Sequence, residues 1–193
     1  MSYLPRILAF AGSTRTDSFN KKLVNIAADG AQSVGAELSL IDLREFPMPL
    51  FDQDDEANSG LPANAERLRD AVLVHDGILL ASPEYNGSVS AVLKNAIDWI
   101  SRPHPDNIAP FSGKTAAILS ASPGRLGGLR GLTHIRAILT NLNVLVLPSQ
   151  IAIGAAHEAF VDKSLVDPER DSAVRRLGVE LAEILSLLHS NSG

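Results

Sequence analysis

The sequence of 193 residues predicts an α/β fold, a doubly wound parallel sheet with helices on both faces. Five short apolar runs are nearly continuous, which is typical of parallel strands that are covered on both sides. Patterns of helical period lie between these runs, so each strand is followed by a right-handed crossover. No repeat or linker divides the chain, and we therefore expect residues 1–193 to form a single domain.

The predicted elements alternate along the chain. The strands are Ile7–Ala11, Leu38–Ile41, Gly77–Ala81, Thr115–Leu119 and Val144–Leu147. Apolar residues at helical spacing run from Leu23 to Val34, from Ala65 to Val72, from Val89 to Ile100, from Ile135 to Leu142 and from Val174 to Leu188. Five such strands fit the flavodoxin-like order 2-1-3-4-5, in which the ligand lies at the carboxyl ends of the strands.

The loop after the first strand has the composition of a phosphate site. It connects a buried strand to a helix N-terminus, where unpaired N–H groups and a partial positive charge favour an anion. Hydroxyl and amide side chains add neutral donors, and Arg15 can add a charge-assisted pair. The alternative is that Ser18 only caps the helix and Arg15 is solvated. The residues expected at the phosphate are Ser13, Thr14, Arg15, Ser18, Phe19 and Asn20.

Two other phosphate loops are excluded by spacing. No Lys-Ser or Lys-Thr follows Gly12 as a Walker A loop requires, and the loop lacks the three glycines of a dinucleotide fingerprint. The loop therefore suits a terminal monophosphate, and flavin mononucleotide (FMN) is a ligand of that kind.

The loop after the third strand suits a flat heteroaromatic ring. Pro83 favours extended backbone before it, and Asn86-Gly87 suits a tight turn with positive φ. Such a turn exposes backbone N–H groups, and Tyr85 adds an aromatic face. The alternative is a turn that only starts the helix at Ser88. The expected ligand residues are Pro83, Glu84, Tyr85, Asn86 and Gly87.

The loop after the fourth strand, residues 120–128, is rich in glycine. Three glycines within five residues allow the backbone to approach a ligand closely, although a flexible surface loop is the alternative. Because this loop follows a strand of the same sheet, we expect it beside the other two. The expected ligand residues are Ser120, Ser122, Gly124 and Gly127.

Composition excludes several classes of function. The net charge is −5 and no Lys/Arg cluster is present, which argues against partners that are nucleic acids or anionic membranes. The absence of cysteine excludes disulfides and thiolate chemistry. We interpret the acidic run at residues 52–56 as a solvated surface rather than a metal site, and the five scattered histidines are not assigned to catalysis. No signal peptide or membrane span is predicted, and we expect a cytoplasmic protein.

Taken together, these motifs resemble the NADPH-dependent FMN reductase family, and within it the bacterial quinone and chromate reductases. The resemblance covers roughly the whole chain. Four segments carry it: residues 12–20, Pro83-Glu84-Tyr85-Asn86, residues 93–99 and residues 121–128. It implies that residues 83–87 hold the isoalloxazine and that the glycine-rich loop contacts its other edge. The residues that it places at the FMN phosphate are Ser13, Arg15, Ser18 and Asn20.

The resemblance also implies an activity. Hydride would pass from NAD(P)H to bound FMN and then to a quinone or similar small acceptor, in ping-pong fashion and without a catalytic side chain. A flavodoxin-type electron carrier and a reductase that releases reduced FMN to a monooxygenase remain alternatives. We expect a homodimer or homotetramer. Trp99 is either a core residue or an oligomer contact, and we expect the latter, with Trp99 on an exposed helix face near the interface. Arg125 either reaches a phosphate of NADPH or faces solvent.

Overall fold

The computed structural model describes residues 3–102, 106 and 108–190. In chain order the elements are β1 (Arg6–Ala11), α1 (Phe19–Ser33), β2 (Glu37–Asp42), a 3₁₀ turn (Leu43–Glu45), α2 (Gln53–Ser59), α3 (Ala63–Val74), β3 (Gly77–Ala81), β4 (Glu84–Tyr85), β5 (Ser88–Val89), α4 (Ala91–Ile100), β6 (Thr115–Ala121), α5 (Leu129–Asn141), β7 (Leu145–Ile153), α6 (Ala156–Ala159), β8 (Phe160–Val161), β9 (Ser164–Leu165) and α7 (Pro168–Ser190).

The central sheet has the strand order β2-β1-β3-β6-β7, and its paired strands are all parallel. This confirms the predicted order, because β6 and β7 are the fourth and fifth strands of the sheet once the short hairpin β4–β5 is set aside. Ala11 of β1 pairs with Ala81 of β3, and Ala81 lies opposite Leu119 of β6. The carboxyl ends of the three strands therefore meet at one edge, where the predicted loops emerge.

The core lies in two layers, one on each face of the sheet. One layer packs α1 and α7 against the sheet, and the other packs α3, α4 and α5 against the opposite face. Helices thus cover both faces, as predicted. The helices α1 and α7 approach closely, because a Cβ on Gly178 would overlap the carbonyl oxygen of Ala27.

Two predictions on the fourth helix are corrected. Val89 belongs to β5, and the helix begins only at Ala91, after Ser90, whose Oγ accepts from the N–H of Leu93 at 3.2 Å. Trp99 is buried, with 1% exposure, instead of lying on an exposed face. The reason is that the chain near Pro49 crosses the helix: the Trp99 indole N–H donates to the Pro49 carbonyl at 2.8 Å, and Phe51 packs edge-on against the indole.

The acidic run forms the start of α2. The Asp52 side chain caps this helix by accepting from the N–H of Asp54 at 2.8 Å, and α2 buries none of its residues. The interpretation as a solvated surface agrees with this exposure. Within the described part of the chain, none of the helices is both long and apolar enough to cross a membrane.

Candidate functional site

The phosphate loop, residues 12–18, starts from a position held by neighbouring strands and helices. The N–H of Gly12 donates to the carbonyl of Ala81 at the end of β3, at 2.9 Å. The hydroxyl of Ser90, at the start of α4, donates to the carbonyl of Gly12 at 2.6 Å. A Cβ on Gly12 would lie 2.8 Å from a methyl carbon of Leu93, so the close packing here favours glycine.

The N-terminus of α1 is open to an anion. Ser18 occupies the N-cap position, but its side chain makes no capping hydrogen bond, and the first turn of α1 carries no acidic residue. First-turn N–H groups have no carbonyl partner within the helix, so they remain available. Ser13 and Ser18 are buried at 4% exposure, whereas Arg15 is exposed. This donor set fits a phosphate monoester. The alternative, in which the Ser18 side chain caps the helix, is not observed.

Arg44 is a residue of this site that the sequence reading missed. It lies in the 3₁₀ turn after β2, and its guanidinium donates twice to the carbonyl of Thr14, at 2.6 and 3.0 Å, and once to the hydroxyl of Thr16, at 2.8 Å. Arg44 therefore braces the phosphate loop from outside. The sequence did contain one indication of this role, because Arg44 follows shortly after the predicted strand Leu38–Ile41 of the same sheet.

Asn20 links the phosphate loop to the end of β6. Its side-chain amide donates to the carbonyl of Ala121 and accepts from the N–H of Ala121, both at 2.9 Å, and the residue is buried. These two bonds connect residues that are 101 positions apart in the chain. Asn20 thus holds two loops together. For its predicted contact with the phosphate it retains its backbone N–H, which belongs to the first turn of α1, and the second hydrogen of its side-chain amide.

The residues after β3 form a tight hairpin of β4 and β5. Tyr85 pairs with Ser88, and Asn86 (φ 51°) and Gly87 (φ 78°) form the two-residue turn between them. Positive φ at both residues is the mark of a type I′ turn, which Asn-Gly favours, so the predicted turn is confirmed. Nothing lies within 4 Å of a Cβ built on Gly87, and glycine is needed here for its backbone angle. The Tyr85 side chain is half exposed.

Glu84 was expected at the flavin ring, but its carboxylate is directed to the start of α5. It accepts from the N–H groups of Arg130 and Gly131 at 3.1 and 3.2 Å, and it pairs with the Arg130 guanidinium at 2.6 Å. Burial raises the pKa of Glu84, but the N–H of Gly131 and the Arg130 guanidinium lower it more, so the pKa lies below its usual range.

Two glycines of the third loop, residues 122–128, serve packing within the chain. A Cβ on Gly127 (φ 63°) would lie 2.6 Å from the backbone of Ile153 at the end of β7, and one on Gly128 (φ 92°) would overlap the Ser120 hydroxyl. Close approach to a ligand was the expected reason for these glycines. Their contacts with β6 and β7 are a sufficient physical reason.

Ser120 departs from the expectation. It is fully buried beneath Gly128, and its hydroxyl has no hydrogen-bond partner, so in this conformation it supports the loop and does not face a ligand. Ser122 and Gly124 lie further out, where the Ser122 hydroxyl accepts from the N–H of Gly124 at 3.4 Å. Arg125 is exposed and lines a cleft of about 430 Å³ with Ile153, Ala155 and Arg170.

The three loops therefore meet at the carboxyl ends of β1, β3 and β6. One end of the site offers an anion position at the start of α1, and the hairpin and the third loop stand beside it. In the described residues, no group of three or more His, Asp or Glu side chains is placed to hold a metal ion. Such an arrangement defines a flavodoxin-like protein that binds a phosphorylated ligand at the edge of its sheet.

Comparison with known proteins identifies the family. The NADPH-dependent FMN reductase family matches residues 5–158, and this chain belongs to that family. Among its relatives, an NAD(P)H-dependent FMN reductase of Pseudomonas aeruginosa is 42% identical over 156 residues, which is 80% of each chain. A quinone reductase of Escherichia coli is 36% identical over 165 residues, or 84% of each chain.

A solved structure supports the same assignment. FerB, a flavoenzyme NAD(P)H:(acceptor) oxidoreductase of Paracoccus denitrificans, superposes with a TM-score of 0.78 and is 26% identical. The match covers 94% of this chain and 97% of that one. The resemblance drawn from the sequence motifs is thus confirmed.

Proposed function

We propose that this protein is an FMN-dependent NAD(P)H oxidoreductase that passes hydride from NAD(P)H to bound FMN and then to a quinone or similar small acceptor. The observation that carries the proposal is the N-terminus of α1. Ser18 leaves it without a side-chain cap, and Ser13 and Arg15 stand beside it, in a chain of the FMN reductase family. A phosphate monoester would accept hydrogen bonds from those N–H groups, which explains why the helix start has no side-chain cap.

In this proposal the chain binds and orients the cofactor. The ring would be held by the third loop, through Ser122, Gly124 and Gly127, and by the backbone of Pro83, Tyr85, Asn86 and Gly87. The phosphate would be held by Ser13, Thr14, Arg15, Ser18, Phe19 and Asn20. Bound FMN supplies the capacity to accept and donate hydride. The N–H groups of the type I′ turn would bond to the ring edge, and Tyr85, which is half exposed, would border the face used by the second substrate.

The relatives support a quinone as the acceptor, since several are quinone reductases by name. NAD(P)H and the acceptor would use the same open face in turn, which requires ping-pong kinetics. We further propose a cytoplasmic homodimer or homotetramer. Sedimentation at micromolar concentration tests the assembly, and a stable monomer with full flavin content would contradict it. Trp99 is not part of the proposed contact, because its ring is buried.

The absorption spectrum of the purified protein, followed under anaerobic conditions, tests the function. We expect a flavin spectrum that NADPH bleaches and a quinone restores. A protein that neither carries nor binds added FMN would overturn the proposal. Slow bleaching by NADPH would point to an electron carrier, and loss of the yellow colour on gel filtration to a reductase that releases its flavin.

A further inference from the structure

The carboxylate of Glu84 is the main polar contact between the hairpin and α5. It accepts two backbone N–H groups, from Arg130 and Gly131, and forms two bonds with the Arg130 guanidinium, at 2.6 and 2.9 Å. The Glu84 side chain is only 7% exposed, although its partner Arg130 is 65% exposed. A carboxylate this buried is held in one orientation by its partners.

Helix α5 depends on this carboxylate for its cap. Its own N-cap residue is Gly128, in left-handed conformation and without a side chain. A carboxylate at this end satisfies first-turn N–H groups and complements the partial positive charge of the helix. The cap of α5 is thus supplied by a residue 46 positions earlier in the chain.

Two further contacts join the same elements. The imidazole Nδ1 of His134, on α5, lies 2.9 Å from the hydroxyl of Ser88 on β5. A Cβ on Gly131 would lie 3.3 Å from the Cβ of Glu84, which shows that the hairpin packs directly on the helix. Because the third loop runs straight into α5 at Gly128, the hairpin and that loop are coupled through Glu84.

We propose that Glu84 is a positioning residue: its carboxylate fixes the hairpin against α5 and the third loop, and so sets the spacing of the two walls that hold the flavin ring. The proposal rests on the proposed function, since the ring is placed between these walls. It replaces the expected direct contact of Glu84 with the flavin, because all four of its bonds go to residues of α5.

The test measures FMN binding by the apo-protein, followed by quenching of flavin fluorescence. The variants are Glu84→Ala, Glu84→Gln, Arg130→Ala and the double variant Glu84→Ala/Arg130→Ala. Lys94→Ala is the matched control, since it breaks a pair with Asp98 on the exposed side of α4. The melting temperature of each apo-protein and the visible spectrum of its bound FMN are recorded in parallel.

We expect Glu84→Ala to raise the Kd for FMN by about tenfold or more and to alter the visible spectrum of the bound flavin. Glu84→Gln should lie between Glu84→Ala and the wild type, because its amide oxygen still accepts a backbone N–H. The double variant should bind FMN no more weakly than Glu84→Ala alone, since both changes remove one interaction. Lys94→Ala should match the wild type.

A lower melting temperature with unchanged Kd and spectrum would overturn the proposal, because Glu84 would then only stabilise α5. Additive effects of the two substitutions would overturn it as well. If Glu84→Ala does not fold, the same comparison is made with Glu84→Gln. Failure of the proposed function looks different, because the wild-type protein itself would then not bind FMN.

Discussion

Arg15 is the exposed cation of the phosphate loop, and its side chain is free of ion pairs among the described residues. We expect Arg15→Ala to weaken FMN binding by about 1.5–3 kcal/mol, since one charge-assisted contact is lost. Hydride transfer in the flavin-saturated enzyme should change little, because the phosphate lies away from the reacting end of the flavin.

FMN titration and single-turnover reduction by NADPH check this prediction. Lys163→Ala is the charge-matched control, since Lys163 is exposed in the turn between β8 and β9. An unchanged Kd for Arg15→Ala would remove Arg15 from the phosphate site. Riboflavin, which lacks the phosphate, should bind the wild type much more weakly than FMN does.

Arg44 acts on the same ligand through the loop itself. Arg44→Ala removes the bonds to the Thr14 carbonyl and the Thr16 hydroxyl, so the loop loses its outer brace. We expect the variant to bind FMN more weakly than the wild type does. The loss of affinity for riboflavin should be smaller, because the substitution affects the loop that binds the phosphate and riboflavin has no phosphate. Titration with both ligands checks this. Equal losses for the two ligands would contradict it.

Asp76 provides a test of stability against pH at the opposite edge of the sheet. Burial raises the pKa of Asp76, but hydrogen bonds from the Arg6 side chain and backbone N–H outweigh burial, and the pKa lies below its usual value. The carboxylate therefore stabilises the fold fully above the unfolded-state pKa of about 4, and this contribution is lost as the pH falls through the lower native pKa.

We accordingly expect Asp76→Asn to be less stable than the wild type at pH 7, with the difference shrinking as the pH falls below about 4. Urea unfolding between pH 7 and pH 3 measures it. Asp55→Asn, on the exposed surface of α2, is the control and should follow the wild type. A difference that stays constant with pH would contradict the role of the charge.

Among the elements, the β4–β5 hairpin depends most on a single residue type. Gly87 has φ 78°, and a β-branched residue there is strained by roughly 1–2 kcal/mol. We expect Gly87→Val to keep the fold but to lose flavin retention or shift the reduction potential of the flavin. Melting temperature and flavin spectrum are measured together, with Gly87→Asn as the control, because Asn tolerates positive φ.

A Gly87→Val protein that melts at a lower temperature yet reduces its flavin normally would show that the hairpin only stabilises the fold.

Tyr85 gives a second test of the hairpin's role in the site. Its side chain is 51% exposed, so Tyr85→Ala should fold normally. It should lower kcat/KM for NAD(P)H or for the quinone while leaving the affinity for FMN intact, and steady-state kinetics with each substrate varied in turn checks this.

At the scale of the whole molecule, the packing of α7 on α1 holds together the helical layer on one face of the sheet. A Cβ on Gly178 would overlap the Ala27 carbonyl, and one on Gly30 would overlap the Arg175 carbonyl, so the two backbones touch through glycine. We expect Gly178→Ala to destabilise the protein by about 1–3 kcal/mol through overpacking, despite the better helix propensity of alanine.

Thermal and urea unfolding measure the effect of Gly178→Ala. Glu183→Ala is the matched control, because Glu183 is exposed on the same helix. If the two variants unfold together, the close approach of α7 to α1 is not a constraint on stability.

The fold and the three loops followed from the sequence alone, because their signals are local. A buried parallel strand shows as a short apolar run, and Asn86-Gly87 specifies its turn through the φ values that these two residues tolerate. One local feature, the absence of a side-chain cap at the start of α1, could not be predicted from the sequence. Ser18 has the right residue type for a cap, and only the folded chain shows that its hydroxyl does not serve as one.

The tertiary structure alone decided which side chains join the loops. Asn20 with Ala121, Glu84 with Arg130, and Arg44 with Thr14 pair across 101, 46 and 30 positions. Local propensity contains no information on such pairs, since they depend on the path of each loop after its strand ends. The prediction of an exposed Trp99 was wrong for the same reason. The helical pattern alone placed Trp99 at the border of the apolar face of α4, and the segment at Pro49 packs over that border and buries the ring.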